Sequence, residues 1–276
     1  LTEGYAAAAL TLTRALELVI APSLTVEVGR GLWLAGPRAR DMIACELWDA
    51  ESWHALAARQ VRFARDTGAP LYLQSALNFL ARSHLLAGEL TTAALMIEEN
   101  RLLREVTRIP PIAYTEIMLA AWRGQEAQTS ELIKATMRDA TARELGRPVD
   151  FATYASSVLS NGLGRHDVAR DAAWQVFERD HVGYGPFVVP ELAEAASRTG
   201  DVALVRAALE WLSERTRVRP TEWALGIEAR VRALLGEGKA AESLYRESIA
   251  RLGRTRVRVE LARGHLLYGE WLRRER

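Results

Sequence analysis

Cysteine occurs once, at Cys45, in a chain of 276 residues. That excludes an internal disulfide and a cysteine-based zinc site, and the apolar setting of Cys45 reads as that of a small buried hydrophobe. A surplus of charge is missing as well, since 36 basic side chains face 35 acidic ones and the net charge is +1. A dedicated nucleic-acid binder or a polybasic membrane anchor needs a clear basic excess, so the balance argues against both. No run approaches the roughly 18 consecutive apolar residues of a membrane span, and no signal segment opens the chain. The expected location is cytoplasmic. Lysine is nearly absent: Lys134 and Lys239 stand alone, and the other 34 basic residues are arginine. We read this bias as that of a GC-rich coding sequence rather than of chemistry.

The motifs of catalysis and cofactor binding are also missing. Gly29-Arg30-Gly31 lacks the third glycine and the preceding strand of a dinucleotide site. Lys239 follows Gly238, but Ala240 stands where a phosphate-binding loop needs a hydroxyl. His54, His84, His166, His181 and His265 are scattered, none with a His or Cys four residues away, so no metal is expected. Glu98-Glu99 reads as a solvated helix face, and Gly183-Tyr184-Gly185-Pro186 as a linker. The cluster Arg251, Arg254, Arg256, Arg258 and Arg263 is interrupted by Glu247 and Glu260 and lacks interleaved aromatics, which argues against direct nucleic-acid binding. No enzyme activity and no cofactor of this stretch are expected.

What the chain has in abundance is helical periodicity. From Asp201, apolar residues fall at Val202, Val205, Ala208, Leu209 and Leu212. From Gly238 they fall at Ala241, Leu244, Tyr245, Ile249 and Leu252, with Gly253 read as a left-handed C-terminal cap. The best strand candidate, Val257-Arg258-Val259, is short and leads into helical spacing. The fold class is all-α.

Glycines and prolines organise these helices. Gly88, Gly124, Gly164, Gly200 and Gly236 recur at intervals of 36, 40, 36 and 36 residues, and Pro70, Pro111, Pro148, Pro186 and Pro220 precede them by 13 to 18. Proline starts a helix well and glycine permits the reversal between two antiparallel ones. Small residues after the glycines (Ala93, Ala169, Ala208, Ala241) allow close packing of the second helix, and Thr129 and Ser130 make the unit after Gly124 the poorest fit. The period is that of a tetratricopeptide-like right-handed superhelix of antiparallel helix pairs, an α-solenoid. We expect a single helical-repeat domain over residues 1–276, clearest from about residue 70. Upstream, helices are expected over 5–19, 24–35, 39–48 and 51–65, with their pairing left open.

In such a repeat the first helix of each pair lines the concave face at fixed offsets before the turn glycine. The candidate ligand or partner groove is Asn78, Arg82, Tyr114, Met118, Phe151, Tyr154, Phe187, Glu194, Trp223 and Arg230. Its mix of aromatic faces and a few charges suits a small polar–apolar molecule or a peptide. The same aromatics, Phe187 and Trp223 above all, serve equally as packing between adjacent repeats.

Several blocks carry a family likeness: WALGIEAR at 223–230, AAESLYRESI at 240–249, RLGRTR at 251–256 and ELARGHLLYGEWLRRER at 260–276. DAESWHALAARQ at 49–60, LAAWRG at 119–124 and the opening LTEGYAAAA extend it upstream. Together they resemble the tetratricopeptide-like region of large ATP-binding LuxR-family transcriptional regulators of actinobacteria. The resemblance implies a longer protein, with an NTPase module before this region and a helix-turn-helix domain after it. Leu1 in place of Met and the abrupt end at Arg276 fit that expectation. It further implies that ATP belongs to the NTPase module, and that the repeats receive a small-molecule effector or protein partner and relay it. A pure protein-binding or self-association scaffold without a small-molecule ligand is the alternative.

Overall fold

The computed structural model describes residues 4–20, 37–109 and 113–275. Every regular element among them is a helix: α1 (Tyr5–Ile20), α2 (Pro37–Glu46), α3 (Ala50–Asp66), α4 (Pro70–Leu86), α5 (Leu90–Thr107), α6 (Tyr114–Trp122), α7 (Glu126–Ala142), α8 (Gly146–Gly162), α9 (His166–Glu178), α10 (Gly185–Arg198), α11 (Val202–Val218), α12 (Glu222–Leu235), α13 (Gly238–Leu252) and α14 (Arg258–Arg274). Each packs on its chain neighbour, giving an all-α solenoid. The expected helix over 24–35, Gly29-Arg30-Gly31 and Pro111 lie outside the described residues. The strand candidate at 257–259 is the entry to α14.

The punctuation works through backbone geometry. Gly88, Gly124, Gly164 and Gly200 adopt left-handed φ values of 66 to 75°, a conformation that costs a side-chain-bearing residue free energy. Each turn repeats one hydrogen-bond pattern: Gly88 N–H donates to Leu85 O at 3.0 Å and Glu89 N–H to His84 O at 2.9 Å. Gly236 departs from the register. It is extended, and the left-handed residue moves to Gly238 (φ 52°). Gly253 also differs from expectation, with a right-handed φ of −60°. The chain past it is held instead by Thr255, whose hydroxyl donates to Leu252 O and accepts from Val257 N–H.

Trp48 stands 40 residues before Gly88 and takes the glycine's place in the turn between α2 and α3, at φ 55°. The hydrogen bonds are those of the glycine turns, Trp48 N–H to Cys45 O at 3.0 Å and Asp49 N–H to Ala44 O at 2.9 Å. So α2 and α3 form a repeat pair ahead of Pro70, and the register extends one unit upstream. Burial of the indole offsets the strained backbone.

Prolines open the first helices of the pairs: Pro70 begins α4, Pro186 is second in α10 and Pro148 third in α8. Pro220 instead precedes the cap of α12, Thr221, whose side chain accepts from Ala224 N–H. The small residues sit where the helices meet, and Ala93, Ala169, Ala208 and Ala241 are fully buried. Thr129 fills the same place in the poorest-fitting unit, its hydroxyl donating to Gln125 O at 2.8 Å.

The solenoid curls until its two ends meet. α1 packs on α11, α2 on α10 and α4 on α14. Trp48 lies edge-on to Trp223 at 5.1 Å between ring centroids and near Trp211 at 6.4 Å, while Trp53 meets Phe187 at 5.8 Å. Polar bonds run along the same seam. Asp49 caps α3 and pairs with Arg219 at 3.2 Å, and Gly183 N–H donates to the buried Glu46 carboxylate at 2.9 Å.

Candidate functional site

Closure fills much of the concave face with the protein's own side chains, and the described residues also enclose a cavity of about 590 Å³. Its walls come from α2 (Met42, Cys45), α4 (Leu71, Gln74, Ser75, Asn78, Phe79, Arg82), the start of α6 (Tyr114), the α7–α8 turn and α8 (residues 143–148 and Phe151) and the loop before α10 (Gly183, Tyr184). That volume suits a small organic ligand, and most of the lining is apolar. Burial raises the Cys45 thiol far above its ordinary pKa, so the thiol is an inert wall group.

Of the ten predicted groove residues, Asn78, Arg82, Tyr114 and Phe151 line this cavity. Met118, Tyr154 and Phe187 line a second void of only about 20 Å³, which Arg82 and Phe151 also border. Trp223 is buried between Trp48 and Phe187. Glu194 and Arg230 lie in buried ion pairs farther along the inner face. The offsets before the turn glycines thus describe one continuous inner surface that serves three purposes.

The first is an aromatic ladder. Tyr114, Phe151, Tyr154, Phe187 and Trp223 follow one another with centroid separations of 4.4 to 6.2 Å. Pairs at such distances add about 0.5–1.5 kcal/mol each beyond the area they bury. Burial, with Glu191 and Glu260 nearby, pushes the Tyr154 hydroxyl well above its ordinary pKa.

The second is an ionic cluster. Arg263 grips Glu194 through two bonds of 2.6 and 2.7 Å, and Arg230 binds the carboxylate and the backbone carbonyl of Glu260 at 2.5 and 2.9 Å. Glu191 accepts from Asn161 at 2.7 Å, and burial raises its pKa to about 7. These carboxylates converge, yet none lines either cavity. They are tied to arginine or asparagine partners and hold α8, α10, α12 and α14 together.

The third is the cavity, where Arg82 differs from its neighbours. Its guanidinium lies 5.1 to 5.5 Å from the ring centroids of Phe187, Phe151 and Trp53. It has no ion pair or hydrogen bond among the described residues. The amides beside it are engaged within the protein: Asn78 donates to Gln74 O and accepts from Thr115, and Gln74 donates to Ile109 O and accepts from Thr107. At the mouth, Arg147 lies over the Tyr184 ring at 5.3 Å without a carboxylate, Arg143 pairs with Asp139, and Glu144 is exposed.

Folding also brings together residues that sequence spacing kept apart. His54 on α3 and His84 on α4 meet edge-to-face at 5.2 Å, with His54 Nδ1 3.1 Å from the Ser83 hydroxyl. Burial, Arg256 and His84 lower the His54 pKa to about 4. Ser83 is itself buried, at 2% exposure, and neither it nor the two histidines line the cavity. Among the described residues no group of three or more His, Cys, Asp or Glu is placed to hold a metal, and no helix is long and apolar enough to cross a membrane. Comparison with protein-family models, curated proteins and solved structures gives no match.

Proposed function

We propose that this chain is the signal-receiving helical-repeat module of a LuxR-family transcriptional regulator, and that its cavity takes a small-molecule effector. The family part of this reading rests on the sequence resemblance. The cavity carries the small-molecule part: a shallow, charged groove favours a protein scaffold, whereas this partly open pocket is mostly apolar and of small-molecule size. The module has no catalytic role of its own; ATP and DNA belong to other parts of the regulator. Met42 and Cys45 on one side and Gly183 and Tyr184 on the other put the cavity wall on the seam where the solenoid closes. A ligand there favours the closed form over any opened one and so shifts the regulator between states.

A thermal-shift screen of the chain against metabolites tests this, because a ligand that binds only the folded form raises Tm. We expect hits that shift wild type and leave Ser75→Phe, which projects a ring from the wall into the cavity, unmoved. Hits indifferent to Ser75→Phe, or no hits at all, overturn the small-molecule reading and favour the scaffold.

A further inference from the structure

The large cavity holds a cation, Arg82, that makes no ion pair among the described residues. Arg82 is the charged side chain of the inner wall and has no carboxylate partner among the described residues, while each neighbouring amide already donates and accepts a hydrogen bond within the protein. The contrast with Arg230 is informative, because the two stand six residues before Gly88 and Gly236 of the repeat register. Arg230 meets Glu260 at 2.5 Å, whereas the next two units place Met118 and Val158 at the position of Arg82. A guanidinium among aromatic rings keeps its charge and presents its N–H fork to a planar anion. Arg147 adds at the mouth a second cation without a carboxylate partner among the described residues, and Glu144 there is solvated. Beyond Arg82 the walls turn apolar with Leu71, Phe79 and Tyr114.

We propose that the cavity selects an amphipathic monoanion, an apolar body ending in a carboxylate or equivalent acid, with the acid on Arg82 and the body against Leu71, Phe79 and Tyr114. This rests on the small-molecule reading above and names the ligand class of that site. The acid supplies the bonds that Arg82 lacks, and the body displaces water from an apolar surface.

The test uses matched probes: decanoate and 4-phenylbutyrate against their primary amides, titrated by calorimetry into wild type, Arg82→Gln and Arg82→Lys. Circular dichroism and a cooperative melt establish that each variant is folded. Wild type is expected to prefer each acid over its amide by about 10- to 100-fold, as charge-assisted hydrogen bonds give. Arg82→Gln removes that preference by weakening the acid alone, and Arg82→Lys restores part of it. Should Arg82→Gln not fold, Arg82→Lys and competition between acid and amide in wild type decide the matter. Equal binding of acid and amide, or a preference that survives Arg82→Gln, overturns the anion assignment and leaves a neutral small-molecule site. No saturable binding of any probe overturns the assignment too, and the Ser75→Phe screen then decides separately whether the cavity takes a small molecule.

Discussion

The two halves of the solenoid use the same register position in opposite ways. In the second half, Glu194 and Arg230 stand six residues before their glycines and are matched by Arg263 and Glu260 of α14. In the first half, Arg82 holds that position and pairs with no acid among the described residues. A buried charge is tolerated when hydrogen-bonded to an opposite charge, and removal of one partner is costly because the other stays behind. The second half thus commits its charges to holding helices together, and the first half keeps one in reserve beside a cavity. Repeats alike in backbone have diverged in what their inner faces do.

The sharpest way to break this contrast is Arg230→Ala. It strands Glu260, which is 6% exposed, and is expected to cost about 3–5 kcal/mol in urea unfolding. A loss below about 1 kcal/mol removes the distinction between the halves.

Next in size is a pH effect at Glu191. Its folded pKa of about 7 lies above the ordinary 4.5, so the folded state binds this proton more tightly than the unfolded chain does. The stability it contributes is complete below about pH 4.5 and is lost as pH rises through about 7. The loss is roughly 3 kcal/mol. Denaturation midpoints of wild type and Glu191→Gln over pH 4.5–8 should diverge accordingly, with the variant flatter and more stable at pH 8. Parallel curves show that Glu191 ionises as freely folded as unfolded.

Packing in the second half is tight enough for one methyl to matter. A Cβ on Gly226 would lie 2.7 Å from Leu252 Cγ, and Leu252 is fully buried. Gly226→Ala is expected to lower stability by about 1–3 kcal/mol, read by thermal melting, even though alanine favours helix more than glycine does. The smallest effect belongs to Arg82→Met, at about 0–1 kcal/mol, because no paired acid is left behind. A cost for Arg82→Met near that of Arg230→Ala identifies Arg82 as a structural cation after all.

The solenoid was legible from the sequence because glycine and proline act locally: the backbone of Gly88 or Pro70 meets the same steric limits in any fold. The first repeat was hidden because Trp48 does the work of a turn glycine, and what makes that tolerable is contact with Trp211 and Trp223, more than 160 residues away. The inner-face register was legible for the same local reason. The division of that face into ladder, ion pairs and cavity was not, because it depends on the curl that brings α14 to α4. Gly253 shows the reverse case, a plausible cap replaced by the hydroxyl of Thr255 two residues on.

Closure has a mechanical consequence. An open array of repeats loses units from its ends, one neighbour interface at a time. Here the first repeats also lean on the last, so the array behaves as a hoop rather than a spring. Fraying at one end exposes the other, and unfolding becomes nearly all-or-none. A hoop does not transmit force by stretching; it holds, or it opens at its join. The join runs through Glu46 and Gly183 beside the cavity, and through Asp49 and Arg219, where a few polar bonds set the latch.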